Sequence, residues 1–118
     1  MSVTIKNLAS GTLTNTTAKV VGPVSGKAWL VKSIMLTNRD SAARTLDLKV
    51  TGTSPNTVAY IAPPGMSVGP STTVIVDNEI TLQYPSGGSQ ETVSIGVTGT
   101  AASPGLDYVL NGLERDLS

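Results

Sequence analysis

Eight carboxylates are the groups in this sequence best suited to chemistry: Asp40, Asp47, Asp77, Glu79, Glu91, Asp107, Glu114 and Asp116. Acid–base catalysis near neutral pH most often uses histidine, and the chain has neither histidine nor cysteine. A Ser-His-Asp triad, a thiolate nucleophile, a disulfide framework and a Cys/His zinc site are therefore excluded. A Ser-Lys pair is the remaining nucleophilic option, and no spacing marks one. Asp77 and Glu79 stand close together at a turn and offer oxygens to a calcium ion. Calcium takes six or more ligands, however, and no EF-hand spacing is present. Turn carboxylates satisfying local backbone N–H groups are the simpler reading, for these two and for Asp40 before Ser41. Ser86-Gly87-Gly88-Ser89 lacks the lysine ending and following helix of a phosphate loop and reads as a hairpin connection. No catalytic, cofactor-binding or metal-binding residue is assigned.

The aromatic side chains offer a different chemistry, the stacking of flat ligands. Trp29 is the single tryptophan. It suits a sugar-stacking platform, but packing in a core or a subunit interface is the favoured reading of a lone aromatic on a strand. Tyr60, Tyr84 and Tyr108 fall on separate strands and are expected at sheet edges or interfaces.

The elements that would position these groups read as strands. Val3 and Ile5 alternate with polar neighbours, and Asn7 to Gly11 is expected to turn. The β-rich part of the next strand is Ala18 to Val21. Lys27 to Asn38 is the strongest strand: Ala28, Leu30, Ile34 and Leu36 are expected on one face, interrupted by Lys32, and Trp29, Val31 and Met35 on the other. A strand apolar on both sides is covered on both. In Arg44 to Gly52, Leu46, Leu48 and Val50 alternate with Thr45, Asp47 and Lys49, a half-buried strand with one wet face. Thr57 to Ala62, Thr72 to Val76, Ile80 to Tyr84, Thr92 to Thr98 and Asp107 to Asn111 complete the set. Loops are expected at 52–56, 63–65, 66–71 and 99–105, and a tail or short turn after Asn111.

Eight or nine short strands, about ten residues apart, give an all-β fold: an antiparallel, jelly-roll-like β-sandwich. The 118 residues suit one domain, with 1–10 and 113–118 as possible assembly arms. Phenylalanine is absent, so the core must be aliphatic. Charged residues are 14% of the chain, 8 basic and 8 acidic, against about 25% in an ordinary soluble domain. A balanced, weakly charged surface argues against nucleic acid and anionic membranes as partners, and no apolar run reaches a membrane span. The N-terminus lacks the basic and apolar parts of a signal peptide, which predicts a protein beginning at Met1 and made in a cytoplasm.

The order KAWLVKSIMLTNRDSAARTLDLKV, YIAPPGMSV, TTVIVDNEITLQ, ETVSIGV and DYVLNGLE resembles small β-sandwich virion proteins of tailed bacteriophages. The likeness runs from about Val20 to Glu114 and rests on Asn38, Asp40 and Ala42 of one turn, on Pro63 and Pro64, on Val74 to Asp77, and on Gly112 and Glu114. It implies a virion component made in the host bacterial cytoplasm. Its most natural role is a capsid decoration protein bound to the major capsid protein or other virion proteins; the nearest alternative is a tail- or fibre-associated one. A homo-oligomer, with a trimer favoured, is expected to bury Val3, Ile5, Trp29, Val31, Met35, Leu113 and Leu117 at interfaces. A carbohydrate-binding module is the alternative from another class, and an enzyme the remotest.

Overall fold

The computed structural model describes residues 3–13, 18–51, 58–62, 65–77, 79–98 and 105–117. Among them are ten strands and no helix: β1 (Val3–Leu13), β2 (Lys19–Val21), β3 (Lys27–Asn38), β4 (Arg44–Thr51), β5 (Val58–Tyr60), β6 (Met66–Val68), β7 (Thr72–Val76), β8 (Ile80–Tyr84), β9 (Thr92–Thr98) and β10 (Leu106–Asp116). They form two antiparallel sheets. In sheet A the order is β1-β10-β3, and the far edge of β3 pairs with β8 along its first half and β7 along its second. Sheet B repeats this plan: β2-β9-β4, with β6 on the first half of β4 and β5 on the second. The expected loop at 52–56, residue 57 of the next expected strand, and residues 63–64 and 99–104 of the expected loops at 63–65 and 99–105 lie outside the described residues.

Alternation puts one apolar row of each strand between the sheets. Ile34, Leu36, Leu82, Leu106 and Leu110 from sheet A meet Leu46, Leu48, Val68, Val93 and Ile95 from sheet B, all fully buried. Tyr108 joins this core, so it is neither an edge nor an interface tyrosine; burial pushes its phenol above its usual pKa.

The expected faces of β3 need correcting. Ser33 lies opposite Asn111, but Val31 lies opposite Gly112, so Lys32 is an extra residue bulged out of the ladder. The bulge reverses the alternation, because one inserted residue moves every later side chain to the other face. Trp29 and Val31 therefore share the inner face with Ile34 and Leu36, at 7% and 0% exposure. Leu30 and Met35 point outward and are half-buried. The kink brings the strands so close that a Cβ on Gly112 would lie 1.9 Å from the Leu30 carbonyl oxygen.

Three further boundaries differ. The expected turn at Asn7 to Gly11 is part of β1, which absorbs Leu8 as a bulge and turns it inward. Met66 to Val68 is a strand, not loop. The expected tail from Gly112 continues β10 as far as Asp116. The described parts of both predicted arms thus lie in or against sheet A: Val3 to Asn7 pair with Arg115 to Asn111, and Leu117 donates its N–H to the Gly26 carbonyl. Leu113 is half-buried on the outer face, beside Leu30; the side chains of Val3 and Ile5 lie outside the described residues.

The Asn-Arg-Asp turn after β3 joins the two sheets. Asn38 is fully buried and accepts the Asp40 N–H at 2.9 Å. Its amide donates to Ala42, Val68 and Gly69 carbonyls at 2.9, 3.1 and 3.1 Å. Asp40, the expected turn residue, holds the Arg44 guanidinium at 2.9 Å.

Candidate functional site

The groups weighed for chemistry in the sequence are dispersed. Glu79 pairs with Lys32 at 3.0 Å, and among the described residues no cluster of three metal-ligating side chains occurs. Glu91 accepts the Gln83 N–H at 2.8 Å, and Asp107 pairs with Arg39 at 2.9 Å. Trp29 is no stacking platform, because its ring is in the core and its N–H is bonded to Glu114 at 3.0 Å.

What the fold does assemble is the outer face of sheet B. The wet side of β4 carries Thr45, Asp47, Lys49 and Thr51, opposite Leu46 and Leu48 in the core. Strand β9 sets Gly96, Ser94 and Thr92 beside Asp47, Lys49 and Thr51. The registers of β2 and β5 extend one of these pairs into a row across four strands. Val20 lies opposite Ser94, Ser94 opposite Lys49, and Lys49 opposite Tyr60. Three inter-strand spacings make the row about 14 Å long.

Each end of the row is apolar and open. Val20 is 57% exposed and Tyr60 48% exposed. The Lys49 ammonium sits over the Tyr60 ring, 5.6 Å from its centroid, a cation–π contact that holds both side chains on the sheet face. Beside the row is a depression of about 180 Å³, lined by Ala18, Asp47, Lys49, Ser94, Gly96 and Val97. Gly96 makes its low floor: a Cβ there would enter the space and meet that of Ala18 at 3.3 Å. One Asp47 oxygen accepts the Gly65 N–H at 2.9 Å, which orients the carboxylate.

The face thus sets an oriented carboxylate, an ammonium and a hydroxyl around a shallow hollow, with a half-exposed aromatic ring beside the ammonium. An aromatic face accepts C–H surfaces, and the polar groups exchange hydrogen bonds with hydroxyls. Sequence reasoning identified the wet side of β4 but did not join it to Ser94, Gly96 and Tyr60. The alternation of β4 and β9 was visible; the register bringing Tyr60 beside Lys49 was not.

No family model and no curated protein matches the sequence. Among solved structures, the chain is similar to a xylan-binding domain from CBM 22, with 17% identity over 97% of this chain and 81% of that one, TM-score 0.47. It is similar to the same degree to the C-terminal family 22 carbohydrate-binding module of a Clostridium thermocellum protein: 17% identity over 98% and 82%, TM-score 0.47. Both are described as carbohydrate-binding domains and neither as a virion protein, and the expectation of a capsid decoration protein is not carried further. Some of the expected interface features are engaged internally: β1 pairs with β10 of the same chain, and Trp29 and Val31 fill its own core.

Proposed function

We propose that this chain is a non-catalytic carbohydrate-binding module that holds a sugar chain across the outer face of sheet B. The observation that supports this reading is the row Val20, Ser94, Lys49 and Tyr60, beside the hollow over Gly96. A pyranose laid on this row stacks its C–H face on Tyr60. Its hydroxyls reach Asp47 and Ser94 as acceptors and Lys49 as donor. Carbohydrate sites need no general base, in keeping with a sequence lacking histidine and cysteine.

Affinity electrophoresis against a panel of soluble neutral and acidic polysaccharides tests the reading. The protein should be retarded by at least one of them. Tyr60→Ala should weaken that binding about tenfold, as expected on removing a tyrosine anchor, with an unchanged circular dichroism spectrum. Retardation by no polysaccharide, or full retention of binding by Tyr60→Ala, would refute it.

A further inference from the structure

Four of the described cations have a carboxylate partner. On and around sheet A, Lys27, Lys32 and Arg39 are matched with Asp116, Glu79 and Asp107, and at the sandwich end Arg44 is matched with Asp40. Lys49 is not matched. Among the described residues no carboxylate lies within ion-pair distance of its ammonium, and its one contact of this kind is the Tyr60 ring. It is only half-buried and lines the hollow. Asp47, which lines the same hollow, stands two residues along β4, about 7 Å away along the strand, with one oxygen engaged by Gly65.

We propose, resting on the sugar-binding reading above, that the ligand is an acidic polysaccharide carrying ring carboxylates, a polyuronate, and that Lys49 determines this specificity. The stacked Tyr60 ring restricts the Lys49 side chain, so little further ordering is needed when a carboxylate arrives. A uronate ring stacked on Tyr60 presents its carboxylate to the adjacent ammonium. The same ring's hydroxyls donate to the remaining oxygen of Asp47, while Asp47 itself stays clear of the carboxylate. The chain carries no net charge, so a general attraction to polyanions is weak and any preference must come from the site.

The probe pair is polygalacturonate and the same polymer with its carboxylates methyl-esterified; dextran sulfate is the control for unspecific polyanion binding. The wild-type protein should bind the acidic polymer about fivefold more tightly than the ester, the size expected of one half-exposed ion pair. Dextran sulfate should bind more weakly than either. Lys49→Gln should abolish the preference, lowering affinity for the acidic polymer about fivefold more than for the ester, and Lys49→Arg should keep it. Equal binding of acid and ester, or a preference that survives Lys49→Gln, overturns this inference and leaves the sugar-binding reading standing. Tightest binding to dextran sulfate also overturns it. Binding of neither galacturonate polymer, with retention on a neutral polysaccharide, overturns the polyuronate assignment alone; retention on none overturns both.

Discussion

The indole N–H of Trp29 donates to the carboxylate of Glu114 across the β3–β10 pair, at 3.0 Å. The ring is 7% exposed, so the bond is made where solvent is scarce. Trp29→Phe keeps most of the packing and removes the donor; it should cost about 1–2 kcal/mol. Trp29→Ala should cost about 3–5 kcal/mol through the cavity it leaves. Urea denaturation followed by circular dichroism measures both. A Trp29→Phe protein as stable as wild type would remove the hydrogen bond from the account.

Asn38 should be less replaceable than its size suggests. Asn38→Leu keeps the branched shape of the side chain but leaves the Asp40 N–H and the carbonyls of Ala42, Val68 and Gly69 without this partner. A loss of about 2–3 kcal/mol is expected in the same denaturation experiment. The connection runs from β3 of one sheet to the end of β6 in the other, so the variant should also loosen the contact between sheets. Faster hydrogen exchange at Val68 than at Ile95 would report it.

Gly96 permits a test that separates the site from the fold. Gly96→Val adds a side chain over the hollow and replaces glycine in a strand by a good strand former. The thermal midpoint should stay level or rise, while retention on the bound polysaccharide should fall about tenfold. Unchanged retention would move the ligand away from β9. Gly112→Ala should behave oppositely, losing about 3 kcal/mol or more, because the added methyl meets the backbone of Leu30.

Lys27 and Asp116 form an ion pair where β3 begins and β10 ends. The hydrogen bond and charge of Lys27 hold Asp116 below its ordinary 3.8; those of Asp116 hold Lys27 above its ordinary 10.5. Stability from Asp116 is therefore present above pH 3.8 and lost as pH falls through its lowered folded value. Stability from Lys27 is present below pH 10.5 and lost as pH rises through its raised folded value. The midpoint difference between wild type and Asp116→Asn should be small, greatest near neutrality, and reduced both in strong acid and in high salt. A difference that does not vary with pH would contradict the pairing.

How much of this was legible in the sequence varies strand by strand. Lys27–Asn38, Thr72–Val76, Ile80–Tyr84 and Thr92–Thr98 were readable to the residue, because alternation and the flanking Asn, Asp, Pro and Gly mark them clearly. The inner face of β3 was not, since the Lys32 bulge is set by the partner strand and Gly112 rather than by a local signal. Gly11 looked like a turn because glycine usually is one. In the fold it is a strand position facing Tyr108, where a Cβ would come within 2.7 Å of the phenol oxygen. For the site, Thr45, Asp47 and Lys49 were visible as one wet face. Joining them to Tyr60 and Ser94 required the register of two pairings, β4 with β5 and β4 with β9, which no local pattern encodes.

The pairing of Val3 with Arg115 brings the first and last described strands side by side at one margin of sheet A. A circular permutant should therefore be tolerated: a short glycine-serine bridge would join the present ends, and new ends would be opened in the exposed turn at Gly87. The same arrangement makes the domain graftable. Whatever polypeptide is fused at either end departs from sheet A, while Tyr60 and the hollow over Gly96 lie on the outer face of sheet B.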